Sequence, residues 1–188
     1  MLEITKYKNK KIAVYGMGKS GCSTAKKLNK LGANVLCWDD SQKIRKEIKR
    51  YKFNISKFWL SSKKSLIDYI VLSPGIDINK CKIKSYLIKN LKKIITDLDI
   101  FFEINKKALI ISITGTNGKS TTCKIIEQIM KTAGFKTNVG GNIGKPVLSL
   151  NKIKKKGIFI LEVSSYQLQY SKHFRSKHAA ILNISPDH

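Results

Sequence analysis

The run Gly115-Thr116-Asn117-Gly118-Lys119-Ser120, with Thr121 directly after it, has the residue types of a loop that cradles phosphates. Backbone N–H groups in a tight glycine turn can converge on phosphate oxygens. A helix opening at once behind the turn adds its own unpaired N–H groups and its positive end. In such a loop Lys119 is placed to neutralise the β and γ phosphates of a nucleotide, and the Ser120 hydroxyl to ligate Mg2+. Ile113 stands where the usual GxxxxGK[ST] pattern has its first glycine, so this is a variant loop in which Gly115 serves the turn. The competing reading is a glycine-rich turn with an exposed lysine, and the order strand, loop, helix speaks against it.

A carboxylate at the end of a neighbouring buried strand would complete a metal site. The apolar stretch "GIFILE" ends in Glu162, where a Walker-B-type carboxylate would face the loop and hold the metal. The alternative is an ordinary strand-end glutamate. His188 follows another strand on the same expected sheet edge, which points to contact with metal or substrate, although a lone histidine is more often structural. His173 and His178 have no such context.

Near the N-terminus, Gly16-x-Gly18-x-x-Gly21 is followed about twenty residues on by Asp39 and Asp40, the arrangement of a dinucleotide fingerprint. The turn allows close approach of backbone to a pyrophosphate, and a carboxylate beyond the second strand suits a ribose or base. Three readings stand: a UDP-like ligand, NAD, or a purely structural glycine cluster.

These residues need strands to carry them. Apolar runs at Lys11 to Tyr15, Asn34 to Trp38 and Tyr69 to Leu72 alternate with helical patterns at Ser20 to Leu31, Gln42 to Tyr51 and Lys82 to Leu91. A second series follows the joining segment Ile94 to Lys107. It runs through strand Ala108 to Ile113, helix Ser120 to Ala133, and strands Lys136 to Val139, Gly157 to Leu161 and Ala179 to Ile184. The alternation predicts an α/β protein with parallel sheets. The division falls into a Rossmann-like domain over 1–96 and the first part of a P-loop ATPase-type domain over 97–188. Tyr166, Leu168 and Phe174 read as core residues at helical spacing.

Composition excludes other classes. The net charge of +25 suggests nucleic acid at first sight, yet only Arg45, Arg50 and Arg175 are arginines among 37 basic residues. Groove readers favour the arginine fork, so the lysines are read as a solvated surface and no nucleic-acid partner is expected. No apolar run approaches a bilayer span, which predicts a cytoplasmic protein without membrane insertion. The cysteines, Cys22, Cys37, Cys81 and Cys123, include no CxxC pair and read as reduced, mostly buried thiols.

With these motifs in order the sequence resembles the Mur ligase family, and within it the D-glutamate-adding branch. The resemblance is carried by "GMGKSG" (16–21), "SPGI" (73–76), "TGTNGKST" (114–121), "GGNIG" (140–144), "LEVSSYQL" (161–168) and "LNISPDH" (182–188). It implies that the first domain holds the UDP of UDP-N-acetylmuramoyl-L-alanine. Gly18, Lys19, Ser20, Ser73 and Gly75 would lie at the pyrophosphate, and Asp39 and Asp40 at the uracil and ribose. Ser41 departs from the basic residue the family implies there. Asn142 and His188 match positions near the muramoyl-alanine and the metal sites, and Lys119, Ser120 and Glu162 match the γ-phosphate and Mg2+ set. The implied activity is ADP-forming ligation of D-glutamate through an acyl phosphate, by a monomer whose amino-acid-binding C-terminal domain is not among these 188 residues.

Overall fold

A computed structural model describes residues 5–60, 67–142, 144–153 and 157–185. The chain divides into two compact units, Met1–Asp97 and Leu98–His188.

In the first unit the strands β1 (Lys11–Tyr15), β2 (Asn34–Trp38), β3 (Asn54–Ile55), β4 (Tyr69–Leu72) and β5 (Ile94–Ile95) form a parallel sheet in the order β3-β2-β1-β4-β5. Strand β1 lies at its centre, with Ile12, Ala13 and Val14 wholly buried. A strand covered on both faces is expected to be apolar throughout rather than alternating. Helix α1 (Lys19–Lys30) buries the small residues Gly21, Ser23, Thr24 and Ala25, together with Leu28. Gly32, at φ 78°, lets the chain turn back after it. Helix α2 (Gln42–Ile48) is capped by Ser41, whose Oγ accepts from the Ile44 N–H at 3.4 Å. The helical pattern to Tyr51 ends early, in a 3-10 turn over Lys49–Tyr51 closed by Lys52 at φ 54°. Helix α3 (Lys84–Lys89) precedes β5, a two-residue strand too short to stand out as a sequence pattern.

Helix α4 (Asp97–Ile104) opens the next stretch within the segment expected only to join the units. The second sheet is also parallel. It runs β7-β8-β6-β9 from β6 (Leu109–Thr114), β7 (Lys136–Gly141), β8 (Gly157–Glu162) and β9 (His178–Ile181), with helix α5 (Lys119–Thr132) between β6 and β7. Ile111, Ile113, Cys123, Ile158 and Ile160 form its core, backed by the partly buried Ile126 and Met130 of α5. Phe101 of α4 meets Phe159 edge-on, their centroids 4.9 Å apart.

A buried carboxylate ties α4 to the loop before β9. Asp99, 2% exposed, accepts at a single oxygen from the Ser171 hydroxyl and from the N–H groups of Lys172, His173 and Phe174 at 2.7 to 3.0 Å. Four donors offset the desolvation of this charge, which would otherwise be costly to bury.

The expectation for Tyr166 and Leu168 is corrected. They are 46% and 40% exposed, because the short helix α6 (Ser165–Gln169) turns Gln167 inward instead. A capping box fixes that rotation: the Gln167 N–H donates to the Ser164 Oγ at 3.2 Å and the Ser164 N–H to the Gln167 Oε1 at 3.1 Å.

Candidate functional site

In the second unit the C-terminal ends of three parallel strands come together. Register places Ile113 of β6 beside Glu162 of β8, and Glu162 beside Gly141 of β7. The ends of adjacent strands in such sheets are where ligands gather.

The loop after β6 is shaped from within and from without. Gly115 has φ 143°, and a Cβ there would press on the backbone of Asn183 and the side chain of Leu182. Gly118 has φ 83° as the N-cap of α5, a conformation open to glycine at little cost. Lys119 curls back so that its Nζ donates to the carbonyl oxygens of Gly115 and Thr116, each at 2.7 Å. The ammonium is thereby held inside the turn. Asn117 and Gly118 are exposed at its tip, while Lys119 and Ser120 are half-buried. Thr121, in the first turn of α5, is exposed.

Ser120 and Glu162 are in direct contact. The Ser120 Oγ donates to the Glu162 Oε2 at 2.7 Å. Glu162 is 3% exposed, and its second oxygen, Oε1, is buried without a hydrogen-bond partner. A buried carboxylate oxygen without a donor is costly, and a hard cation is the partner it lacks. Serine hydroxyl, carboxylate and adjoining phosphate seat make a donor set that fits Mg2+, which keeps several waters and takes few protein ligands. No group of three or more His, Cys, Asp and Glu side chains suited to a metal occurs among the described residues, so an all-protein cage is not present there.

Cys123 lies one turn into α5, 2% exposed. Burial, and then the charge of Glu162, push its thiol up to about 11.

Asn142 is brought to the same edge through backbone. Its N–H donates to the Glu162 carbonyl at 2.8 Å, and its side chain is exposed. This approach depends on Gly141, where a Cβ would overlap the Glu162 carbonyl oxygen. Ile143 and His188 lie outside the described residues.

The first unit presents a second glycine turn. The Gly16 N–H donates to the Trp38 carbonyl at 2.8 Å, and the Ser73 Oγ donates to the Gly16 carbonyl at 2.5 Å. Gly21 packs against that same carbonyl, and a Cβ on it would overlap the oxygen. The turns after β1 and β4 therefore meet at the point where strand order reverses, the crevice of an open parallel sheet. Gly18, Lys19 and Gly75 are exposed there and Ser20 is half-buried at the N-terminus of α1.

Asp39 and Asp40 are engaged by the protein's own donors. Asp39 accepts from the N–H groups of Met17 at 2.7 Å and Ser41 at 2.8 Å. Asp40 accepts from the Tyr15 hydroxyl at 2.6 Å, the Trp38 indole at 3.3 Å and the Lys82 N–H at 3.4 Å. Burial first, and then the bond to Asp40, push the Tyr15 phenol far above its ordinary range. The acidic pair thus organises the turn around it. Sequence reading passed over Arg45, which lies one helical turn beyond Ser41. Its Nη1 donates to the carbonyls of Asp39 at 2.6 Å and Asp40 at 2.9 Å, and the guanidinium sits 4.5 Å from the Trp38 ring centroid. A basic side chain from α2 thus braces the Asp39–Asp40 turn.

Two parallel α/β units, each with a glycine turn between a strand and a helix and the second with a strand-end glutamate facing that turn, have the architecture of an α/β protein of the nucleotide-binding type. Residues 113–188 match the Mur ligase middle domain. The chain is 38% identical over 194 residues to the UDP-N-acetylmuramoylalanine--D-glutamate ligase of Wolbachia pipientis wMel, covering 100% of this chain and 37% of that protein. It is 43% identical over 180 residues to the ligase of the same name from Rickettsia felis, covering 95% and 39%. The chain spans about two fifths of the length of the curated relatives it matches.

Among solved structures it is similar to the UDP-N-acetylmuramate:L-alanyl-gamma-D-glutamyl-meso-diaminopimelate ligase of Neisseria meningitides, with TM-score 0.55, 17% identity, and coverage of 95% of this chain and 62% of that one. The UDP-N-acetylmuramate-alanine ligase of Thermotoga maritima gives the same TM-score of 0.55 and identity of 17%, covering 95% and 42%. At such identity the likeness speaks to the fold. Among the described residues no helix is long and apolar enough to cross a membrane.

Proposed function

We propose that this chain is the nucleotide-binding part of an ATP-dependent ligase that joins D-glutamate to UDP-N-acetylmuramoyl-L-alanine in the cytoplasm, with release of ADP. The observation that carries the reading is the Ser120–Glu162 pair at the P-loop, with its unpartnered buried Oε1. The specificity for D-glutamate rests on the relatives, which share that name at 34% to 43% identity.

A carboxylate is a poor acyl donor to an amine at neutral pH. Phosphorylation of the L-alanine carboxylate gives an acyl phosphate with a good leaving group, and attack by the D-glutamate amine then forms the amide and releases phosphate. Both partners in the first step are anions, so the site must supply positive charge and fixed donors. In this reading Lys119 serves that need once phosphates displace its Nζ from the Gly115 and Thr116 carbonyls. The N–H groups of Gly118, Lys119 and Ser120 point the helix end at the same oxygens. Ser120 and Glu162 would hold Mg2+, which supplies neutralisation of phosphate charge. Asn142 and His188 are assigned to the muramoyl-alanine side of the reaction, His188 with a share in metal binding.

In the first unit Gly18, Lys19, Ser20, Ser73 and Gly75 seat the pyrophosphate of the UDP-sugar. Asp39 and Asp40 shape the floor of the uridine site. Titration of the chain with UDP-N-acetylmuramoyl-L-alanine, and a coupled assay of D-glutamate-dependent ADP release, test the two halves of the reading. Saturable UDP-sugar binding is expected. Tight binding of NAD with none of the UDP-sugar would overturn the assignment of the first unit, and binding without ADP release would limit this chain to recognition.

A further inference from the structure

We propose that Asn183 is a positioning residue of the P-loop, setting the peptide orientation at Asn117 and through it the phosphate affinity of the loop. No motif reading assigned it a role. After β9 the chain runs alongside the loop like one more strand partner. The Asn183 carbonyl accepts from the Thr116 N–H at 3.1 Å. One residue further along the loop the side chain takes over: Asn183 Oδ1 accepts from the Asn117 N–H at 2.9 Å, and Asn183 Nδ2 donates to the Asn117 carbonyl at 3.1 Å. A primary amide thus pairs with both polar groups of one backbone residue, as a neighbouring strand would. At Ser185 the roles are exchanged: the loop's Thr116 Oγ1 accepts from the Ser185 backbone N–H at 3.0 Å and lies 3.3 Å from the Ser185 carbonyl.

The consequence lies in what the clamp fixes. Asn117 immediately precedes Gly118, the left-handed N-cap of α5. The plane of the Asn117 peptide therefore sets the direction of the Gly118 N–H and the entry angle of the helix whose end faces the phosphates. Lys119 braces the same turn from inside, on the carbonyls of Gly115 and Thr116. Asn117 is exposed, so without the clamp its backbone groups would turn to water and the loop would sample other orientations. A preformed loop binds more tightly because the cost of ordering is already met. Asn183 touches no phosphate in this scheme and acts through Asn117. Gly115 packs closely against the Asn183 backbone at φ 143°, so a side chain at 115 would be strained and would crowd the two segments.

The affinity half of this proposal rests on the ATP reading above, and the test separates the two. Amide hydrogen exchange is measured on the whole chain without nucleotide, beside calorimetric titration with Mg·ATP and thermal unfolding. In the unaltered chain the Asn117 amide is expected to exchange slowly for an exposed loop residue. In Asn183→Ala its exchange accelerates about 10-fold or more, the amides of β6 and β8 keep their protection, and Mg·ATP binds about 10-fold more weakly, as loss of one to two net hydrogen bonds implies. Asn183→Asp keeps the acceptor for the Asn117 N–H, so it retains more protection at Asn117 than Asn183→Ala. Rapid Asn117 exchange in the unaltered chain, or unchanged exchange and affinity in Asn183→Ala, overturns the proposal. Should the unaltered chain fail to bind Mg·ATP, the ATP reading falls and the affinity half with it, while the exchange measurement still decides whether Asn183 holds the loop.

Discussion

The Ser120 hydroxyl donates to the Glu162 carboxylate at 2.7 Å, joining the first turn of α5 to the end of β8 across 42 residues of sequence. Only one carboxylate oxygen is served by that bond. The other is buried and without a partner, an arrangement that costs stability unless a cation arrives.

Glu162→Gln therefore has opposite effects on the free and liganded chain. Removing the buried charge is expected to raise the stability of the free chain by about 1 kcal/mol. The same change weakens Mg·ATP binding about 10- to 100-fold, the scale of a lost charge-assisted interaction. Differential scanning fluorimetry with and without Mg·ATP reads both. A variant less stable when free, yet stabilised by Mg·ATP as much as the parent, would show that Glu162 is a structural strand end.

Asp99 offers a stability test away from the phosphate seat. Asp99→Ala leaves the Ser171 hydroxyl and the N–H groups of Lys172, His173 and Phe174 without their shared acceptor. The expected loss is about 2–4 kcal/mol in urea unfolding. Loss below about 0.5 kcal/mol, the range of an ordinary surface change, would mean that the loop does not depend on this carboxylate.

The pH dependence of stability has a predictable sign at Cys123. Its thiol is raised from 9.0 to about 11 in the folded chain by burial and by Glu162. Below pH 9 folded and unfolded chains both carry the proton, and the contribution is fully present. Between pH 9 and about 11 only the unfolded chain loses it, so stability falls as pH rises through that window. Cys123→Ala removes this component, and its urea midpoint plotted against pH is expected to fall less steeply there. Parallel curves for parent and variant would refute the assignment.

Much of this fold could be read from pattern alone. Apolar runs such as Lys11 to Tyr15 and Ala108 to Ile113, each entering a glycine turn and a helix, announce parallel strands, and the sheets are parallel. Two-residue strands carry no periodicity, so β3 and β5 were invisible, and α4 was hidden inside what read as a connection. Ser120 and Glu162 could be singled out because one closes a glycine-rich phosphate-loop pattern and the other ends an apolar strand. Asp39 and Asp40 were legible as a carboxylate pair, but their capture by Met17, Ser41, Tyr15 and Trp38 depends on tertiary contact. Asn183 stands inside the "LNISPDH" run, but its contact with the loop could not be read there, since it depends on a partner 66 residues away. Tyr166 and Leu168 show the limit of periodicity, because a five-residue helix takes its rotation from its cap.

In the proposed function the turn from Gly115 to Ser120 is a seat for the phosphates of Mg·ATP, with Lys119 as its charge. Calorimetric titration of Mg·ATP into the unaltered chain and into Lys119→Ala tests it most directly. Saturable binding by the unaltered chain, weakened about 10- to 100-fold in the variant, is the predicted result. Equal affinity in the two proteins, or no binding by either, would contradict it.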